Sequence, residues 1–307
     1  MRILVLGAGG IGGYYGARIQ AAGGDVTFLV RPARAEQLKK EGLVVSSPFG
    51  DLHLAAKTVL KEDLKERFDV IIVSCKAYDL ASAMDAIAPA VGEGTVVLPL
   101  LNGVRHIDAL VERFGAAHVL GGVAAISVTL SPAGEILHLN KMHRFITGAR
   151  GEPAPAVLAP LAQRLSAAGF EFILSNNIDQ AMWDKFVFLT TLAGATCTLR
   201  ATVGQILATV AGESFINSLF DECLRVAAAS GHALGDAQMT AFRGQLTDKS
   251  SGLMASMLRD VEKGGPTEAD HILGDMVARA DALKVEAPML KIAYSHLQAY
   301  DLRRRAT

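Results

Sequence analysis

Apolar and polar positions follow different periods in the two parts of this chain. In the first part, short unbroken apolar runs alternate with longer amphipathic stretches. Met1–Leu6, Asp25–Val30, Asp69–Ser74 and Thr95–Leu100 are such runs. They predict parallel strands covered on both faces, since a strand with one wet face would alternate residue by residue. Val119–Val128, Gly134–Leu139 and Arg144–Gly148 are predicted to extend the same sheet. From Asn176 onward strand-like runs stop and helical periodicity takes over. Ser214–Ser230 reads as a helix with Gly231 suited to its C-terminal cap. Met254–Lys263 is stopped by Gly264-Gly265-Pro266. Thr267 is placed to cap Glu268–Leu283, with Asp270 closing a short variant of the capping box, and Pro288 opens a last helix toward Arg303. The expected architecture is α/β: a doubly wound parallel sheet over residues 1–175, then an all-α domain over 176–307. A cleft between two such domains is a common place for a small-molecule substrate.

The turn after the first strand narrows the class of ligand. Gly7-Ala8-Gly9-Gly10-Ile11-Gly12 follows Met1–Leu6 at once, and Gly13–Ala22 reads as the helix beyond it. This is G-x-G-x-x-G between a strand and a helix start, the context in which it binds a dinucleotide. Gly7 allows the sharp turn, Gly9 lets backbone approach a pyrophosphate, and Gly12 lets helix and strand pack closely. Unpaired N–H groups at the helix start then receive the anion. The first domain is therefore expected to be Rossmann-type. The second strand, Asp25–Val30, ends on Arg31, with Arg34 three residues later. An NAD site usually carries an acidic residue there, whereas a guanidinium pairs with the 2′-phosphate of NADP. The expected cofactor is NADPH/NADP.

Composition removes several other classes. The 307 residues suffice for two buried cores, and 30 Lys plus Arg balance 31 Asp plus Glu. That balance offers no electrostatic footing for nucleic acid or an anionic membrane. The apolar run at the N-terminus is too short for a membrane span. Cys75, Cys197 and Cys223 lie far apart, which suits reduced thiols and a cytoplasmic protein. The histidines form no HExxH or other close ligand cluster, so no metal site is expected. The apolar helical half leaves room for a homodimer.

In an open parallel sheet, ligands gather at the carboxyl ends of the strands. Here those ends carry the glycine loop, Arg31, Lys76 directly after VIIVSC, and Asn102 in Leu101-Asn102-Gly103. The helical half adds Trp183-Asp184-Lys185, Ser256 and Glu268. Lys185 borders the apolar segment Phe186–Leu189, where partial desolvation would lower its pKa and make it a better proton donor.

These residues resemble the ketopantoate reductase (2-dehydropantoate 2-reductase) family over essentially the whole chain. The resemblance rests on Gly7–Gly12, Arg31, Cys75-Lys76-Ala77, Leu101-Asn102-Gly103, Asn176-Asn177-Ile178 and Trp183-Asp184-Lys185. It rests further on Ala255-Ser256-Met257-Leu258-Arg259-Asp260 followed by Thr267-Glu268-Ala269-Asp270. It implies a Rossmann domain followed by a helical one, and NADPH-dependent reduction of a 2-oxo acid, with ketopantoate going to pantoate in pantothenate biosynthesis. It also implies roles. Arg31 binds the 2′-phosphate, Lys76 contacts the cofactor, and Asn102 lies by nicotinamide and substrate. Lys185 polarises and protonates the ketone, while Ser256 and Glu268 orient the substrate through its carboxylate and hydroxyl.

The chain departs from the family pattern at three positions. Leu189, Ala193 and Val203 stand where the pattern has asparagines, which implies a more apolar substrate site. Thr190, Thr191 and Thr196 are the candidates to replace the lost amides. Three readings follow: a ketopantoate reductase, a reductase of a more apolar 2-oxo acid, and a non-catalytic NADPH-binding protein. Retention of Lys185, Ser256 and Glu268 counts against the last.

Overall fold

The structure, a computed structural model, describes residues 1–306. Contacts divide it into two compact units, Met1–Leu101 with His106–Ala181, and Asn102–Arg105 with the described residues from Met182 onward.

The first unit begins with β1 (Arg2–Leu6), α1 (Gly10–Ala21), β2 (Asp25–Leu29), α2 (Pro32–Glu41), β3 (Leu43–Ser46), β4 (Leu52–Leu54) and β5 (Thr58–Val59). It continues with β6 (Val70–Val73), α3 (Leu80–Ile87), β7 (Val96–Pro99), α4 (Arg105–Phe114), β8 (Gly121–Leu130), β9 (Ile136–Gly148), α5 (Leu158–Ser166) and β10 (Glu171–Leu174). One five-stranded sheet has the order β5-β2-β1-β6-β7, and all its pairs are parallel. The interiors of β1, β6 and β7 are buried, as their unbroken apolar runs require.

The later segments do not extend that sheet. β8 and β9 form an antiparallel hairpin in a second sheet, ordered β10-β9-β3-β4 with β8 on β9. A single bridge, Val97 to Val119, touches the first sheet. The burial of β8 and β9 explains the difference, because β8 passes from buried to exposed along its length and β9 is exposed through its middle. Such strands suit an antiparallel pair with a wet face rather than a doubly covered parallel layer. The segments predicted separately as Gly134–Leu139 and Arg144–Gly148 are one strand.

Helix α1 lies between the two sheets, and every residue from Gly12 to Ile19 is buried. Small residues make that possible. A Cβ on Gly12 would come within 2.5 Å of the Gly7 carbonyl oxygen, and one on Gly16 within 2.6 Å of the Phe28 ring in β2. One on Gly13 would strike Ile136 of β9. Tyr15 meets Phe145 and Phe170 edge to face at 4.9 and 5.1 Å, contacts worth about 0.5–1.5 kcal/mol each beyond their burial. Its hydroxyl donates to the Arg144 carbonyl at 2.9 Å.

The second unit is helical. Helix α6 (Ile178–Leu199) enters it, followed by α7 (Val203–Leu207), α8 (Gly212–Ala229), α9 (Asp236–Leu246), α10 (Ser256–Glu262), α11 (Asp275–Ala282) and α12 (Pro288–Ala306). The amides of Gly231 and His232 return to the Ala228 and Ala227 carbonyls, with Gly231 at φ +85°. This is the expected glycine termination of α8. Buried Glu222 of α8 accepts from the Met289 and Leu290 amides at 3.1 and 2.8 Å, capping α12 from another helix.

The capping box expected at Thr267 is not formed by Asp270. Thr267 accepts from the Ala269 amide and donates to Asp301, while Asp270 accepts from the Tyr294 hydroxyl at 2.8 Å. Both competing partners come from α12. The chain then runs through a π turn, Asp270–Gly274, before α11 begins.

Candidate active site

The register of the first sheet levels one edge. Leu6 pairs with Leu29 and with Val73, and Val73 pairs with Pro99, so β1, β2, β6 and β7 end together. Gly7, Arg31 and Lys76 leave from that edge. Gly7 takes φ +88°, a left-handed conformation that favours glycine. Gly9 caps α1 without any side-chain hydrogen bond. A Cβ built on Gly9 would meet nothing within 4 Å. Ala8 is buried, Gly10 lies against Val128, and Ile11 is partly buried against the core. Gly12 closes the other side, packed on Val5, Gly7 and Ser74, whose hydroxyl donates to the Leu6 carbonyl at 3.3 Å. The loop is therefore open where a pyrophosphate would approach and closed where the helix must touch the strand. These residues fit a dinucleotide.

Arg31 caps α2 with its side chain 82% exposed, and pairs with Asp79 at 3.4 Å. An exposed pair of this kind is worth at most about 1 kcal/mol, so a phosphate can displace Asp79. Lys76 is partly buried and precedes the short turn Ala77–Asp79. Arg34 has a different task. Its guanidinium donates twice to the Ala8 carbonyl, at 2.9 and 3.2 Å, and so braces the glycine loop from α2. Neither the Asp79 pair nor the Arg34 brace was predicted. Charge and position in sequence mark both residues, but only the sheet brings them to the loop.

The remaining candidates fall in the second unit. Trp183 fixes the rotation of α6: it stacks on His232 at 4.8 Å, and the Arg279 guanidinium lies 5.1 Å from its ring. Phe186 and Val187 are fully buried, which leaves Lys185 at the edge of the packed face. Lys185 keeps some exposure, yet dense surroundings desolvate its ammonium and bring its pKa down to about 8. The nearby Glu268 carboxylate, itself buried, opposes that shift. Asn102 packs with this unit, where its backbone hydrogen-bonds the His271 ring. Ser256 is the first residue of α10, and the Thr196 hydroxyl accepts from the Ala255 amide at 3.3 Å, tying that start to α6.

Two of the three threonines are already engaged within the helical unit. Thr191 and Thr196 donate to their own helix, to the Val187 and Leu192 carbonyls at 2.9 and 2.7 Å. Thr190 is fully buried, with a hydroxyl that has no protein partner. Ala193 and Val203 are also fully buried, whereas Leu189 is partly exposed. Of the three departures, Leu189 is thus the one that reaches an accessible surface.

Among the described residues no group of histidine, cysteine and carboxylate side chains is arranged to hold a metal. The three cysteines are free. Burial pushes the Cys197 and Cys223 thiols up to about 12, which keeps them protonated. No described helix is long and apolar enough to cross a membrane.

A dinucleotide loop on a doubly wound sheet, joined to a helical unit with a desolvated lysine, defines a nicotinamide-dependent oxidoreductase. Residues 3–151 match the model of the family described as ketopantoate reductase PanE/ApbA, and residues 177–301 match that of its C-terminal region. The chain belongs to the ketopantoate reductase family. It is similar to the uncharacterized oxidoreductase YkpB of Bacillus subtilis (strain 168), with 38% identity over 98% of this chain and 99% of the other. It is 26% identical to a 2-dehydropantoate 2-reductase of Nostoc sp., covering 98% and 95%. Among solved structures, the 2-dehydropantoate 2-reductase of Geobacter metallireducens GS-15 superposes with a TM-score of 0.89 at 29% identity, covering 97% and 99%. D-mandelate dehydrogenase with NADH and anilino(oxo)acetate shares the fold, with a TM-score of 0.90 at 22% identity over 99% of both chains. Membership in a family of reductases sets aside the non-catalytic reading: the chain is an oxidoreductase.

Proposed function

We propose that this enzyme reduces a 2-oxo acid to the 2-hydroxy acid with NADPH, with ketopantoate as the first candidate and pantoate, for pantothenate biosynthesis, as its product. The observation that carries the reading is Lys185, desolvated to a pKa of about 8 beside the buried Glu268 carboxylate. Free thiols support a cytoplasmic setting, and a homodimer is part of the proposal without bearing on the chemistry.

The glycine loop and the start of α1 hold the pyrophosphate, Arg31 takes the 2′-phosphate in place of Asp79, and Lys76 adds a cation at the same edge. When bound, the nicotinamide supplies a hydride to the 2-oxo carbon. The Lys185 ammonium donates a hydrogen bond to the ketone oxygen, stabilises the charge that develops there, and transfers its proton to that oxygen. The neutral amine is then reprotonated from solvent. At pH 7 a lysine with this pKa is still mostly charged, yet is more acidic than an ordinary lysine. Glu268 keeps the ammonium charged and accepts from the substrate hydroxyl. Ser256 and the Asn102 amide orient the carboxylate and the carbonyl.

A second reading, a reductase of a more apolar 2-oxo acid, is favoured by Leu189. A site built to hydrogen-bond its substrate rejects analogues sharply, and an apolar surface discriminates by size only weakly. The test is NADPH oxidation across a panel of 2-oxo acids that includes ketopantoate, for the wild type and Leu189→Asn. Turnover led by ketopantoate supports the first reading. Turnover led by a more apolar acid, with ketopantoate rising in the variant, supports the second. Oxidation with no member of the panel contradicts both.

A further inference from the structure

Two residues after Glu268 the chain enters the π turn Asp270–Gly274, which leads straight into α11. A π turn is rare and is frequently found at functional sites. This one is pinned from α12, since Tyr294 donates to Asp270 and its hydroxyl would lie 2.8 Å from a Cβ on Gly274. His271 is the second residue of the turn, and it faces two of the candidate groups.

Toward one side, the His271 ring hydrogen-bonds the Asn102 backbone. Gly103, at φ +78°, leaves no room to spare: a Cβ there would lie 3.1 Å from the His271 carbonyl oxygen and 3.2 Å from its ring carbon Cδ2. Toward the other side, the His271 amide donates to the Glu268 carbonyl at 3.1 Å. The Glu268 carboxylate acts on both the His271 ring and the Lys185 ammonium.

We propose that His271 is a positioning residue that ties the Asn102–Gly103 turn to the Glu268–Lys185 pair, so that amide and ammonium address one substrate. The inference rests on the roles given above to Asn102 and Lys185. Burial holds the ring pKa below its ordinary value and Arg105 lowers it further, against Glu268, Asp275 and the Asn102 hydrogen bond. A neutral ring joins the Asn102 backbone without placing a second cation beside Lys185.

Two substitutions separate hydrogen bonding from packing. His271→Phe fills the space without the ring N–H, and His271→Gln keeps a donor that does not titrate. Each is measured for kcat and KM on the best 2-oxo acid, for NADPH affinity by fluorescence, and for hydrogen exchange of the 102–105 amides. His271→Phe is expected to lower kcat about tenfold and to speed that exchange by a similar factor, the consequence of one lost buried hydrogen bond. NADPH affinity stays within about twofold in the same variant, because the glycine loop is untouched. His271→Gln is expected to recover most of both losses. Wild-type kcat and exchange in His271→Phe would overturn the proposal, as would a His271→Gln variant equally impaired. Should His271→Phe fail to fold, His271→Gln and Gly103→Ala carry the test. Gly103→Ala presses on the same contact and is expected to lower kcat with unchanged NADPH affinity; unchanged kcat would count against the tie. If the wild type reduces no 2-oxo acid, the proposed function fails, while exchange at 102–105 still reports on His271.

Discussion

At the proposed dinucleotide edge of the first unit, the glycine loop is shaped by backbone, and Arg31 and Lys76 add charge beside it. Gly7, Gly9 and Gly12 act by the side chains they lack, and Arg34 acts by bracing the Ala8 carbonyl. In the second unit the candidates act through side chains, and each is held by something distant in sequence. Trp183 is fixed by His232 and Arg279, the start of α10 by Thr196, and the turn after Glu268 by Tyr294. The first arrangement tolerates little change in shape, whereas the second tolerates little change in chemistry.

That contrast can be broken at several points. Lys185→Ala removes the proton donor and the cation together, and turnover is expected to fall by about 10²–10⁴. NADPH affinity should barely move in that variant, as read by fluorescence titration, because the glycine loop, Arg31 and Lys76, proposed to hold the cofactor, are untouched. Gly12→Ala is the reverse case. Its Cβ would press on the Gly7 carbonyl and Ser74, and overpacking of this kind costs about 1–3 kcal/mol. The expected result is NADPH affinity lowered by roughly tenfold or more, with a lower melting temperature. Arg31→Ala has the smallest expected effect. It should weaken NADPH binding about tenfold, the worth of charge-assisted hydrogen bonds at an exposed site, and leave NADH binding unchanged. Equal loss for both cofactors would remove Arg31 from the 2′-phosphate.

The same contrast explains what the sequence made legible. The strand, glycine loop and helix start obey local rules, and the four unbroken apolar runs are strands of the first sheet. The second sheet was hidden because β3, β4 and β10 are short and its partners are far apart in the chain. The capping box that the spacing predicts at Thr267 does not form, because Thr267 and Asp270 bond instead to Asp301 and Tyr294, both in α12. The direction of the Thr191 and Thr196 hydroxyls, and the burial of Ala193 and Val203, likewise follow from packing that no local pattern encodes. His271 carried no signal of its own. Its candidacy comes from the π turn and from Asn102, which lies far earlier in the chain.

Lys185 is proposed as the proton donor, and the pH dependence of kcat for reduction reads that role. With a lowered pKa of about 8, the protonated form needed for reduction is lost as pH rises through that value. For reduction, kcat is expected to be level below pH 7 and to fall through about pH 8, with 2-hydroxy acid oxidation rising over the same interval. The residual activity of Lys185→Ala should lack that transition. A reduction rate that stays level to pH 10, or a Lys185→Ala variant with the wild-type profile, would contradict it.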